Sequence, residues 1–188
     1  MKKLFTAGAM AMLLVISGPV HAGGFSGSVN GVLGTKQIDN DDVRPRHLGM
    51  LGVMSDFQFG SAPIRLAADL LLAGRTKEIG DDDVNLSTVE LAVGGRFVIP
   101  TGSDFHPFVG AGLNLTSAHV SIDYDGGGSE SDSDGTVGGY ATLGAYYSII
   151  GRINVGAMYR YSIAEVELFD EKDDIDAHHW AIMVGYSW

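Results

Sequence analysis

The sequence predicts an all-β protein, an eight-stranded antiparallel up-and-down transmembrane β-barrel. Three observations carry that expectation: an export leader at the amino terminus, eight segments of alternating apolar and polar residues after it, and connections that alternate between short and long.

The leader comes first. Met-Lys-Lys is followed by an apolar run from Leu4 to Ile16 and then Ser-Gly-Pro-Val-His-Ala, with small residues near Ala22. A charged start, a short apolar centre and a small-residue end are the parts of a secretory signal peptide. The run is too short for the roughly 20 residues that a membrane-spanning helix needs. Residues 1–22 are therefore expected to be removed, leaving 23–188 as one barrel domain. Losing Lys2 and Lys3 leaves ten basic residues against 23 acidic ones, which makes the formal charge −13 in place of −11. Such a chain repels nucleic acid. It has no cysteine, so a closed hydrogen-bonded sheet rather than disulfides must hold it together.

Eight segments follow with period two. Phe25 to Thr35 sets Phe25, Val29 and Leu33 against Ser26, Ser28 and Asn30, and His47 to Phe59 sets Leu51, Val53, Phe57 and Phe59 against Met54, Asp56 and Gln58. In the third, Ile64, Leu66, Ala68, Leu70 and Leu72 alternate with Arg65, Ala67, Asp69, Leu71 and Ala73. The fourth, Ser87 to Ile99, places Val89, Leu91, Val93 and Phe97 opposite Thr88, Glu90, Gly94 and Arg96. Pro107 to Ser121, Val137 to Ile149 and Arg152 to Ala164 continue the pattern, the last of these with Arg160 on the polar face. The eighth segment closes the chain with Trp180, Ile182, Val184, Tyr186 and Trp188 on one face and His179, Ala181, Met183, Gly185 and Ser187 on the other.

Short links at Gly60 to Pro63, Pro100 to His106 and Ile150 to Gly151 alternate with longer acidic ones at Lys36 to Arg46, Thr76 to Leu86, Ile122 to Thr136 and Glu165 to Ala177. Short periplasmic turns and long external loops are the pattern of outer-membrane barrels. A water-soluble sandwich or lipocalin-like barrel also alternates. Here, however, the polar face carries glycines and small residues unsuited to a solvated exterior, and the apolar face ends in aromatics near the turns, as membrane-interface girdles do.

The row Trp180, Ile182, Val184, Tyr186, Trp188 resembles the closing-strand signature of outer-membrane proteins, and the whole of 23–188 resembles the OmpA/OmpX and opacity-protein type of small barrel. The resemblance implies a bacterial outer-membrane location, contact with outer-membrane lipid and lipopolysaccharide, and recognition of the closing strand by the barrel-assembly machinery. It names no surface partner.

Eight strands enclose a bore just wide enough for side chains. The inward set contains Asp56, Asp69 and Glu90 against Arg65, Arg96 and Arg160, whose charges cancel. Pairing the third and fourth segments about the middle of their loop brings Asp69 near Arg96 and Glu90 near Arg75. These six are expected to form a structural ion-pair network, with a gated ion or proton path as the alternative.

The acidic runs Asp39 to Asp42, Asp81 to Asp83 and Asp170 to Asp174 are expected to be solvated outer loops, with loose divalent-cation binding as the alternative. Glu130-Ser-Asp132-Ser-Asp134-Gly135 has the alternating acids of an EF-hand loop, but Ala141 stands where its bidentate Glu belongs. His119-Val-Ser121 faintly resembles the His-x-Ser of outer-membrane lipid A deacylases, yet Ile122 stands where that family has Asn, and no Glu on the next strand faces the imidazole. No catalytic residue, metal ligand or cofactor is assigned. The favoured reading is a non-enzymatic barrel with acidic surface loops that contributes to envelope structure or surface interaction, ahead of a narrow channel and a lipid A-modifying enzyme.

Overall fold

The computed structural model describes residues 25–39, 47–79, 82–123, 129–168, 171–174 and 176–188. The leader expected at 1–22 lies outside them. Among the described residues there are ten strands: β1 (Phe25–Ile38), β2 (His47–Phe59), β3 (Ile64–Ile79), β4 (Asp82–Val98), β5 (Phe105–Asp123), β6 (Ser129–Ile149), β7 (Ile153–Ile163), β8 (Glu165–Leu168), β9 (Glu171–Asp174) and β10 (Ala177–Ser187). Eight of them close into a barrel in the order β1-β10-β7-β6-β5-β4-β3-β2, while β8 and β9 form a separate two-stranded hairpin.

The register fixes the barrel's shape. Crossing paired residues from Ser28 to Asp56, Ala67, Gly94, Gly112, Tyr140, Ser162 and Ala177 returns to β1 at Ile38, ten residues above the start. With about 3.3 Å per residue and about 4.8 Å between strands, that stagger over eight strands tilts them by about 40°. The seam is completed past the last β10 residue, where Gly27 and Trp188 exchange both backbone hydrogen bonds at 3.2 and 3.0 Å.

In the lower part of the barrel the apolar residues face outward and are exposed, among them Leu33, Leu66, Leu91, Val93, Leu113, Leu143, Ile182 and Val184. An exposed apolar band around a closed sheet is stable only in lipid. It ends near the short turns in an aromatic cluster, with Phe25 5.8 Å from Phe57, 5.4 Å from Phe59 and 6.4 Å from Trp188.

Toward the long connections the alternation changes phase. On β5, Leu113 and Leu115 face out while Asn114 and Thr116 face in, but above them Ser117 and His119 are exposed and Ala118 is buried. Leu86 on β4, Ile38 on β1, Leu48 on β2 and Ala164 after β7 join Ala118 in a buried apolar cluster. On these strands the sheet above the lipid is thus built as in a soluble protein, apolar in and polar out, while residues 131–136 of β6 are polar on both faces.

This inversion accounts for the strands exceeding their sequence-predicted ends. The outer connections expected at Thr76 to Leu86 and Ile122 to Thr136 are largely strand, since β3 and β4 pair up to Ile79 and Asp82, and β5 and β6 up to Asp123 and Ser129. The EF-hand-like stretch from Glu130 to Gly135 therefore lies in β6, and the connection expected at Glu165 to Ala177 contains the β8–β9 hairpin.

The β6–β7 turn is closed by Arg152 N–H donating to the Ile149 carbonyl (3.2 Å). Its central residues Ile150 and Gly151 both have positive φ, 55° and 68°, which is the type I′ conformation that favours Asn-Gly. A β-branched residue there is strained, and Ile150 is 90% exposed, so its side chain gains little packing in return. Ile150→Asn is expected to raise the unfolding free energy by about 1 kcal/mol, read as a shift of the urea midpoint in lipid vesicles at unchanged slope.

Candidate functional site

The inward face of an eight-stranded barrel converges on its axis, so residues far apart in sequence meet there. β2 supplies Asp56, β3 Arg65 and Asp69, β4 Glu90 and Arg96, and β7 Arg160. They form a ladder of alternating charge. Arg65 Nη1 donates to Asp56 Oδ1 (2.9 Å), and Asp56 Oδ2 accepts from Arg96 Nη1 (3.3 Å) and from the Ser28 hydroxyl (2.8 Å). Arg96 Nη2 reaches both oxygens of Asp69 at 3.0 Å, and Asp69 Oδ2 also accepts from Arg160 Nη2. Arg160 Nη1 then donates to Glu90 Oε1 (3.0 Å). Arg65 sits nearest the short turns and Glu90 nearest the long hairpins.

Aromatic rings complete the packing. The Arg160 guanidinium lies 4.2 Å from the Tyr140 ring centroid, and that of Arg96 5.3 Å from Phe108. Tyr140 lies flat against the wall at Gly94 and Gly112, where an added Cβ would stand 2.7 Å from its hydroxyl and 2.9 Å from its ring. Those glycines make room both for the neighbouring backbone, whose Ala111 and Val93 carbonyl oxygens the added Cβ atoms would strike, and for the ring that stacks on Arg160.

Two residues that sequence reasoning had not placed in the network extend it upward. Lys36, expected to open the first outer connection, is 2% exposed inside the barrel, with Nζ 3.3 Å from Thr88 Oγ1 and 4.0 Å from Glu90 Oε2. It adds a fourth basic side chain beside the three acids and three arginines of the expected set. Continuing the period-two row of Ser28 and Asn30 would have found it. His179 on β10 is fully buried, with Nε2 2.9 Å from Ser162 Oγ and 3.8 Å from Glu90 Oε2. Ser162, His179 and Glu90 do not form a catalytic triad, because hydroxyl and carboxylate address the same ring nitrogen while Nδ1 faces Met50 Sδ at 3.3 Å.

The expected contact of Glu90 with Arg75 is not made. The register sets Leu71 opposite Glu90 and Leu86 opposite Arg75, which carries Arg75 above the ladder, where it is exposed and donates to the His47 carbonyl (3.2 Å). His119 and Ser121 lie on the outer face of β5 and pair in register with Ser133 and Ser131 of β6, so a serine rather than a carboxylate stands directly beside the imidazole. Among the described residues, no group of three or more His, Asp or Glu could hold a metal ion.

Trp180, Ile182, Val184 and Tyr186 form an exposed outward row on β10. Trp180 packs 4.5 Å from Tyr159, Tyr186 accepts from Arg152 (3.0 Å), and Trp188 ends the row in the lower aromatic cluster, 6.2 Å from Phe57.

A closed antiparallel barrel with a lipid-facing band, aromatic belts and a packed ionic bore defines an integral outer-membrane protein of the small-barrel class. The chain belongs to the outer membrane protein beta-barrel domain family, whose model matches residues 8–187. Among solved structures it is similar to Ail, the attachment invasion locus protein of Yersinia pestis, crystallised with the heparin analogue sucrose octasulfate (17% identity, 88% of this chain and 99% of that one, TM-score 0.60). It is also similar to OprG from Pseudomonas aeruginosa (16%, 89% and 97%, TM-score 0.57) and to Neisserial surface protein A (15%, 87% and 95%, TM-score 0.57). No curated protein sequence matches it.

The ladder predicts unequal costs along its length. Asp69→Asn removes the carboxylate that two buried guanidinium groups share, leaving Arg96 with Asp56 alone and Arg160 with Glu90 alone, and is expected to lower the unfolding free energy by about 3–5 kcal/mol. Arg65→Gln, at the wetter end, should cost about 1 kcal/mol, since Asp56 keeps Arg96 and Ser28. Equilibrium unfolding in urea checks both, and equal costs would contradict the ladder.

Proposed function

We propose that this protein is a non-enzymatic, non-conducting outer-membrane barrel that supports envelope structure and presents acidic hairpins for surface interaction. The observation that carries this reading is the filled bore. Arg96 and Arg160 cross-link Asp56, Asp69 and Glu90 in mid-barrel, and the apolar cluster of Ile38, Leu48, Leu86 and Ala118 covers the outer end. An ion crossing would have to break paired charges and pass that cluster without replacement ligands.

The distribution of acids supports the surface role. Of the 23 acidic residues, all but Asp56, Asp69, Glu90 and Asp104 fall in the segments of the outer hairpins and connections. Such a surface disfavours polyanionic ligands of the kind represented by the sulfated sugar bound to Ail, and favours cationic partners or divalent cations shared with lipid phosphate. In planar bilayers the purified barrel is expected to give no stepwise conductance. Discrete steps whose size or ion selectivity changes in Asp69→Asn or Arg96→Gln would favour the channel reading instead.

A further inference from the structure

The ladder begins with a cation at its open end. Arg65 is the ladder residue that reaches water, its side chain 20% exposed against 2% or less for Asp56, Asp69, Arg96 and Arg160. Its carboxylate partner Asp56 is shared with Arg96 and takes a further hydrogen bond from Ser28. The positive charge of Arg65 is thus only partly met within the barrel.

That guanidinium faces a cavity of about 270 Å³ at the end of the barrel bearing the short turns. Beside Arg65 the wall is formed by His106, Tyr146 and the hydroxyl residues Ser26, Ser148 and Ser187. His106 packs on Tyr146 at 5.0 Å, which holds the imidazole at the wall. The Ser187 hydroxyl accepts from Asn154 Nδ2 (2.8 Å), so its own proton is available to donate. Asp104 also borders the cavity, but its Oδ2 lies 3.5 Å from the Tyr147 hydroxyl, on the outward side of β6.

We infer that this periplasmic vestibule binds a small oxyanion, a carboxylate or a phosphate group, through Arg65 with His106 and Ser187 as further donors. A partly neutralised, planar guanidinium in a recess of hydroxyls and an imidazole matches the multidentate acceptor geometry of such groups. The volume admits a small solute or the exposed end group of a larger periplasmic molecule. The barrel would then carry a ligand site at its inner mouth, independent of the outer hairpins.

Trp188 lines the same cavity and supplies the probe. The chain has two tryptophans, so Trp180→Phe leaves Trp188 as the reporter in the full barrel folded in phospholipid nanodiscs. Titration with inorganic phosphate and, separately, acetate, at ionic strength held constant with chloride, is expected to give a saturable change in emission with at least one of them. The anion that saturates at lower concentration identifies the class. Arg65→Gln should weaken that affinity by about tenfold or more. Should Arg65→Gln fail to fold, the double variant His106→Ala with Ser187→Ala, outside the ladder, should lose about threefold or more. No saturation with either anion, or affinity unchanged in the folded variant, overturns the proposal.

Discussion

Charges inside a barrel that sits in lipid have little solvent to relieve them, and the rest of this structure is arranged around that constraint. Each carboxylate in the bore is met by guanidinium or hydroxyl donors, and Asp69 is held by Arg96 and Arg160 together. The Coulomb gain of such pairs offsets desolvation only when the geometry is good and the remaining lone pairs are satisfied. The register supplies most of that geometry, leaving Glu90 Oε2 and the Nε atoms of Arg96 and Arg160 without a hydrogen-bond partner. A ten-residue stagger brings β2, β3, β4 and β7 to one axis, and the ladder joins strands that do not neighbour one another in the sheet.

The same ladder ties local choices to the global fold. Gly94 and Gly112 are small so that Tyr140 can lie against the wall beneath Arg160. The apolar cluster above Lys36 and Glu90 keeps water from the outer end of the network, while Arg65 leaves the inner end open. Polarity along the bore therefore runs from a wet, cationic periplasmic mouth through paired charge to a dry outer cap.

Much of this was legible in the sequence, for a physical reason. Lipid on one side and a narrow polar bore on the other force a period-two pattern, so the eight barrel strands, their faces and the inward orientation of the six expected charges could be placed from alternation alone. The Asp69–Arg96 contact was anticipated from an assumed hairpin register, but Ala92 stands opposite Asp69 and Arg65 opposite Arg96, so the length of the arginine side chain rather than facing positions makes it. Glu90–Arg160 and Asp69–Arg160 were not anticipated, because their partners stand 70 and 91 residues apart and meet only through barrel closure. Lys36, the outer ends of β3 and β4 and residues 129–136 of β6 were missed where the sheet leaves the lipid. There the alternation inverts, and a reading keyed to outward apolar residues ends the strand too early. Lys36 was lost because Ile38, two residues on, continues the same inward row with an apolar side chain.

Asp69 and Arg160 act as partners in the bore rather than as separate buried ions. A double-mutant cycle on Asp69→Asn and Arg160→Met, measured by reversible unfolding in lipid vesicles, tests it most directly. A coupling of about 2–3 kcal/mol is expected, with the double variant more stable than the sum of the single losses implies. Additive losses, with a coupling near zero, would contradict it.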